Sequence, residues 1–425
     1  MKPLLIRNGR VVDPASRLDA RRDVLIEDGR IAAIDAAISR ADAEVLDAAA
    51  LVVAPGFIDI HVHLREPGKE GAETIVTGTR AAAAGGFTGV ACMPNTQPVN
   101  DNPMVTRFLL GQAAQAGPVH VYPIGAVTKN SAGEELAEIE SLRAAGAVAV
   151  TDDGRPVASA RLLRRALEYC RALDIPLIDH CEDPELAAGG VMHEGEWSLR
   201  LGLRGIPALA EELPVARNAR LAAETGARVH IAHLSTGSAL EVVRRAKQQG
   251  VPITCEVTPH HFTLTDEACR DFDTRTKMNP PLRTAADVAA LIEGLADGTV
   301  DAIACDHAPH PETEKQVDFE SAPFGITGLE TALALALDKL YHTGKISLPR
   351  LVELFSSGPA RALGLPGGRL QAGGPADLTL FDPERRWTYR ISEGLSKSRN
   401  SPFDGWSFRG CAVATIVGGQ IIFRR

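Results

Sequence analysis

Aromatic side chains are scarce in this chain. Phe, Tyr and Trp together make up 4% of its 425 residues, so the interior must be built mainly from Ala, Val, Leu and Ile. Long apolar runs are missing too: no stretch approaches the ~20 residues of a membrane-spanning helix. The apolar run at the start, within Met1-Lys-Pro-Leu-Leu-Ile-Arg-Asn-Gly9, is too short for a signal peptide. Basic runs are absent and the formal charge is -9, which makes nucleic acid and anionic membrane poor partners. The seven cysteines (92, 170, 181, 255, 269, 305 and 411) are odd in number and lack CxxC spacing. Reduced thiols of a cytoplasmic enzyme suit that pattern better than a disulfide framework.

The two ends resemble each other and differ from the middle. Leu4–Val12 and Asp23–Ile31 read as short apolar strands broken by Asn-Gly and Asp-Gly, both hairpin signals. Ala376–Phe381 and Ala412–Phe423 repeat this style. The expectation is a small β-sandwich domain assembled from residues 1–55 and 366–425, with residues 56–365 inserted between them. In the insert, short apolar strands are predicted at 57–62, 88–92, 119–124, 147–151, 176–180, 229–233, 252–257 and 302–306. Helical patterns such as Ser159–Leu173 and Gly237–Gln249 separate them. Eight strands alternating with helices predict a (β/α)8 TIM barrel, an α/β fold. An open doubly wound sheet is the alternative, but no GxGxxG loop follows the first strand. Gly85-Gly86 precedes a strand and reads as a turn.

Barrel active sites collect at the C-terminal ends of the strands. His61 and His63 end the first predicted strand, and a spacing of two puts both imidazoles on one side. Asn95 follows the second. Asp152 and Asp153 end the fourth, His180 the fifth, His233 the sixth and Asp306 the eighth. Alone, a His here would be a hydrogen-bonded core residue and an Asp a helix cap or turn residue. Together, five strands deliver imidazole or carboxylate to one end of the barrel. Four His and two Asp suit a mono- or dinuclear zinc-type centre, which cobalt or manganese could also occupy. His230 stands three residues before His233, so it is expected on the opposite side of the strand as a structural residue. His120, His193 and His342 have no supporting context, and His260-His261 carries no assignment.

These residues lie in longer motifs: His61-Val-His-Leu-Arg-Glu-Pro-Gly68, Met93-Pro-Asn-Thr96, Thr151-Asp-Asp-Gly154, Asp179-His-Cys-Glu182, His230-Ile-Ala-His-Leu-Ser235, Glu256-Val-Thr-Pro-His-His261, Met278-Asn-Pro-Pro281, Asp306-His-Ala-Pro-His310 and Pro323-Phe-Gly-Ile-Thr-Gly-Leu-Glu330. Over nearly its whole length the chain resembles the amidohydrolase superfamily and, within it, dihydroorotases of the long bacterial class. One departure stands out. Many relatives bridge two metals with a carboxylated lysine after the fourth strand, where this chain has Thr151-Asp-Asp-Gly154. The resemblance places the bridging role on Asp153, with Asp152 as the fallback.

The resemblance implies reversible hydrolysis of dihydroorotate to N-carbamoyl-aspartate, a step of pyrimidine biosynthesis. It implies one or two Zn2+, two being favoured: His61, His63 and Asp306 on one ion, His180 and His233 on the other, and Asp153 between them. Asp306 is the candidate acid/base. Arg65, two residues past His63, offers a two-pronged match to the substrate carboxylate; otherwise it is a surface residue paired with Glu66. By resemblance Asn95, Asn279, His310 and the main chain at Phe324-Gly325 join it. The polar stretch Glu312–Ala322 reads as a lid. Homodimerisation and a complex with aspartate transcarbamoylase are family expectations. Two competing readings are a hydantoinase, dihydropyrimidinase or allantoinase acting on a neutral ring, and an inactive subunit of the transcarbamoylase. The absent lysine argues against the first, and the retained His and Asp set against the second.

Overall fold

A computed structural model describes residues 2–425. Eight parallel strands follow one another around the middle of the chain: Phe57–Val62, Phe87–Cys92, His120–Gly125, Ala149–Val150, Leu177–Asp179, Val229–Ile231, Ile253–Val257 and Ala302–Ile303. Helices return the chain between most of them. In Ala160–Ala172 the Ser159 hydroxyl caps the helix by accepting from Leu162 N, and Leu163, Ala166, Leu167 and Cys170 form the buried stripe. Gly237–Gln248 repeats this with Thr236 as cap and Ala239, Leu240, Val243 and Ala246 inward. Gly86 ends the helix before the second strand with φ 96°, a conformation open to glycine at little cost. The (β/α)8 barrel expected from strand and helix alternation is the architecture found.

Closure of the barrel relies on side chains as well as ladder bonds. The eighth strand pairs with the seventh, but the first and eighth meet at the bridge between Val62, the last residue of the first strand, and His307, which lies beyond the end of the eighth. His63 N donates to His307 O at 2.8 Å. Below this bridge, the buried Asp59 carboxylate accepts from His61 N at 2.9 Å and from Cys305 N at 3.0 Å. Asp59 thus occupies the gap between the two strands that carry His61 and Asp306.

The barrel interior is filled by Ile58, Ile60, Ala91, Met93, Ile124, Ala149, Ile178, Ala232, Ala302 and Ala304. Small aliphatic residues fill so narrow a space, which is why the chain manages with few rings. Several of those rings gather where the barrel meets the terminal sheet: Phe57 lies 5.3 Å from Phe355 and 5.9 Å from Phe381 between centroids.

The chain ends form one eight-stranded sheet. Its main order is Gln420–Arg424, Ser407–Val417, Leu378–Thr388, Val52–Pro55, Leu4–Asp13, Leu18–Glu27, Arg30–Asp35; Glu44–Asp47 pairs with Leu4–Asp13 off this path. Val52–Pro55 joins the two ends, pairing parallel with Leu4–Asp13 and antiparallel with Leu378–Thr388. Leu4, Ile6, Val24, Ile31, Val53, Leu378 and Ile416 share one apolar cluster, so N- and C-terminal strands bury a common face. Asp28-Gly29 makes the predicted hairpin turn, with φ 49° and 75°. Asn8-Gly9 does not. It forms a bulge within one ten-residue strand, where Asn8 takes φ 63° and a Cβ on Gly9 would fall 2.5 Å from Val53 Cγ2. An Asn-Gly pair supplies the positive φ a bulge needs as well as that of a turn. Between Leu378–Thr388 and Ser407–Val417 the chain leaves the sheet and runs to the mouth of the barrel.

Candidate active site

The barrel mouth holds a cavity of about 350 Å³. His63, Asp153, His180, His233 and Asp306 line it together with Arg65, Asn95, Asn279, His310, Phe324 and Gly325. His61 lies fully buried beside them. All twelve site residues read from the sequence therefore gather in one place.

Asp153 stands among the imidazoles. Its Oδ1 lies 3.4 Å from His61 Nε2, 3.7 Å from His233 Nε2 and 3.8 Å from His180 Nδ1, and its Oδ2 lies 3.5 Å from His63 Nε2. Asp152 turns away: its carboxylate accepts from Val127 N at 2.8 Å, from Thr128 N at 3.0 Å and from the Thr128 hydroxyl. Asp306 Oδ1 lies 3.0 Å from His63 Nε2 and 3.5 Å from His61 Nε2. Burial opposes charge on Asp153 and Asp306, but the surrounding imidazoles outweigh it and hold both carboxyls below their usual range.

The donor set fits a divalent cation. His61 Nε2, His233 Nδ1 and Asp153 Oδ1 are buried without hydrogen-bond partners. Unpaired buried polar atoms are rare because each costs about 1–3 kcal/mol. Three overlapping groups have ligand atoms close enough to share an ion: His61, His63 and Asp153; Asp153, His180 and His233; and His61, His233 and Asp306. Asp153 belongs to two of them. Imidazole and carboxylate are the ligands zinc takes at catalytic sites.

Neighbours fix the rings. His61 Nδ1 donates to Glu256 Oε1 at 2.7 Å, which leaves Nε2 as the free lone pair. His63 Nδ1 lies 2.8 Å from Asn95 Oδ1, so the Asn95 amide presents its NH2 to the cavity. Asn279 has the opposite orientation. Its Nδ2 donates to Glu182 Oε2 at 2.8 Å, and its buried Oδ1 is left without a partner as an acceptor at the cavity wall. Arg65, His233 and Asp306 take φ of 62°, 31° and 44°. Such conformations are sparsely populated for residues other than glycine and gather at functional sites.

Arg65 is not a surface residue. It is 8% exposed, and Glu66 accepts instead from Ile75 N. Arg65 Nε donates to Pro309 O at 3.1 Å, and a terminal nitrogen lies 3.4 Å from His310 Nε2. No carboxylate among the described residues forms an ion pair with this guanidinium. The 312–322 stretch read as a lid is tied down. Lys315 Nζ donates to the carbonyls of Thr274, Lys277 and Pro323, and Lys277 Nζ to those of Phe319 and Glu320.

His230 departs from its expected side. Its Nε2 lies 3.1 Å from Glu256 Oε2, so it shares with His61 the two oxygens of one carboxylate. Strand alternation fails here because the strand ends at Ile231 and His233 takes a left-handed conformation. His261 Nε2 lies 2.9 Å from Pro280 O, next to Asn279. His120, His193 and His342 contact Asp377, Arg283 and the Pro383 carbonyl, away from the cavity. Sequence reasoning gave Glu256 and Asp59 no role, although an acidic residue within a short apolar barrel strand was a usable signal.

A dihydro-orotase-like family model matches residues 50–239. A dihydroorotase of Solibacter usitatus is 56% identical over 423 residues, covering 100% of this chain and 98% of the relative. One from Syntrophotalea carbinolica is 55% identical, covering 99% of each. Among solved structures, an L-hydantoinase (dihydropyrimidinase) from Arthrobacter aurescens superposes with a TM-score of 0.90 at 28% identity, covering 100% of this chain and 96% of its own. A D-hydantoinase gives a TM-score of 0.87 at 25% identity. The neutral-ring relatives thus share the fold at half the identity or less, and the chain belongs to the dihydroorotase family of metal-dependent cyclic amidohydrolases.

Proposed function

We propose that this protein is an active dihydroorotase that hydrolyses dihydroorotate reversibly to N-carbamoyl-aspartate. The observation carrying this reading is Arg65: a buried cation without an ion-pair partner among the described residues, on the wall of the cavity whose floor holds the His and Asp cluster. A neutral ring would leave that cation unmatched, whereas a ring bearing a carboxylate supplies a two-pronged partner.

In this reading His61, His63 and Asp306 would hold one zinc, His180 and His233 would hold a second, and the Asp153 carboxylate would be shared by the two. When bound, such ions lower the pKa of water to ~7 and polarise the amide carbonyl. The protein's own groups do the rest. Arg65, the Asn95 NH2 and His310 hold the substrate carboxylate. The Asn279 Oδ1 accepts a substrate N–H, and main chain at Phe324-Gly325 lines the ring. Asp306 takes the proton of the attacking water and delivers it to the leaving ring nitrogen, a role that needs reach to both atoms. In the synthetic direction these steps reverse. Seven buried thiols suit the reducing cytoplasm. Homodimerisation and assembly with aspartate transcarbamoylase belong to the same reading, and light scattering with and without the transcarbamoylase tests both.

The deciding experiment measures dihydroorotate hydrolysis by the isolated protein, with metal content determined on the same sample. Turnover with one or two zinc equivalents is expected. Turnover of a hydantoin or dihydropyrimidine in place of dihydroorotate would sink the reading. Metal-free, inactive protein would favour the subunit role.

A further inference from the structure

The segment between Leu378–Thr388 and Ser407–Val417 belongs by sequence to the terminal sheet, yet it carries a residue behind the wall of the active-site cavity, against Ala308, His310 and Gly325 of its lining. Asn400 is 2% exposed. Its Oδ1 accepts from His310 N at 3.0 Å. Its Nδ2 donates to Ala308 O at 2.9 Å and to Gly325 O at 3.1 Å. Its own carbonyl accepts from Thr327 N at 3.0 Å. Both side-chain ends and the main-chain oxygen are thus used on two loops, 308–310 and 325–327.

These loops already approach each other. Ala308 N donates to Ile326 O at 2.7 Å, and His307 bridges Ile326 in parallel. Beyond that point regular pairing stops, and the Asn400 amide continues it by joining the carbonyls of Ala308 and Gly325. The approach is too close for a side chain: a Cβ on Gly325 would fall 2.8 Å from Ala308 O. Arg65 is drawn into the same arrangement through its bond to Pro309 O. The segment carrying Asn400 is itself anchored to the barrel. Glu73 accepts from Lys397 N at 3.1 Å, Glu330 accepts from Leu395 N at 2.9 Å, and the Ser398 hydroxyl donates to Ala72 O at 2.6 Å.

We propose that Asn400 is a positioning residue that holds the Ala308–His310 and Gly325–Thr327 loops at the spacing required to bind the substrate carboxylate and ring. This inference rests on the dihydroorotase reading. It assigns to the C-terminal segment a part in substrate binding, although Asn400 does not line the cavity. The side chain can do this because an amide offers a donor and an acceptor on opposite ends. Aspartate, its isostere, keeps the acceptor for His310 N but sets an anionic oxygen against two carbonyls.

The test is Asn400→Asp, alone and combined with His310→Ala, in the full-length metal-loaded protein. KM for dihydroorotate should rise about tenfold to a hundredfold, while kcat stays within about threefold, because binding is lost without disturbing the reacting groups. The change in KM should be much smaller in the His310→Ala background, since residues acting through one another are non-additive. Metal content should be unchanged. Hydrogen exchange should quicken at 307–311 and 323–328 and not around His61, His180 or His233. A KM within about twofold of the parent with unaltered exchange in those loops overturns the proposal. So does additivity with His310→Ala, or exchange that quickens throughout the barrel. If the parent protein does not turn over dihydroorotate, the functional reading fails separately, and loop exchange still decides whether Asn400 fixes the two loops.

Discussion

Glu256 Oε1 lies 2.7 Å from Nδ1 of His61, and this contact sets which nitrogen of His61 faces Asp153. Burial works against the charge on Glu256, but His61 and His230 outweigh it and hold the carboxyl down at about 2. Glu256→Gln should leave the fold intact and weaken metal binding about tenfold to a hundredfold, the usual effect of losing a carboxylate behind a ligating imidazole. Equilibrium dialysis with metal analysis measures this. Metal affinity within twofold of the parent would mean that the contact serves packing alone.

The two neighbouring aspartates should separate cleanly. Asp153→Asn is expected to lose bound metal and to reduce turnover on the order of a hundredfold or more, because its carboxylate is the group shared among the imidazoles. Asp152→Asn should retain metal and lower stability by roughly 1–3 kcal/mol, since its amide keeps an oxygen for Val127 N and Thr128 N but loses the charge and sets an NH2 against the Thr128 hydroxyl. Metal analysis beside denaturant unfolding distinguishes them, and the reverse pattern would move the bridging role to Asp152.

Arg65→Met tests the anion pocket. The expected result is a KM for dihydroorotate raised roughly a hundredfold with metal content unaltered, the loss typical of removing one partner from a buried charged pair. Steady-state kinetics at saturating metal give the answer. An unchanged KM would show that the guanidinium serves only to hold Pro309 and His310.

Lys315 should leave a mark on the pH dependence of stability. Burial pushes its ammonium down to about 7, and Lys277 adds to the effect. Unfolded, a lysine titrates near ~10.4. Between these values the unfolded chain holds a proton that the folded chain has released, so this group makes stability rise as pH climbs from about 7 towards ~10. Lys315→Met should flatten that rise in urea unfolding measured at pH 7 and pH 9, whatever it does to absolute stability. A slope equal to the parent's would show that Lys315 remains charged when folded.

The parts legible from residue order share one property: the information is local. Strand and helix alternation, the Ser159 and Thr236 caps and the His61/His63 spacing each depend on residues a few positions apart. Backbone geometry gives those separations a fixed meaning, namely a period of two in strands and 3.6 in helices. Barrel topology extends this further, because it brings every strand's C-terminal end to one face. Asn8-Gly9 marks where local reading stops. The same dipeptide serves a hairpin or a bulge, and Val53, packed against Gly9 from another strand, accompanies the bulge.

The remainder depended on contacts between residues far apart in the chain. Glu256 meets His61 across 195 positions, Asp59 meets Cys305 across 246, and Asn400 meets Ala308 across 92. Asp152 and Asp153 are alike in type and adjacent in order, and only the presence of Thr128 beside one and four imidazoles beside the other separates their surroundings. Residue order alone thus settled the barrel, its catalytic end and the ligand types offered there. Packing settled which carboxylate faces inward and which nitrogen of His61 and of His233 is left without a partner. A buried polar group takes its orientation from the partners that satisfy it, and those partners arrive only when distant strands and loops close around it.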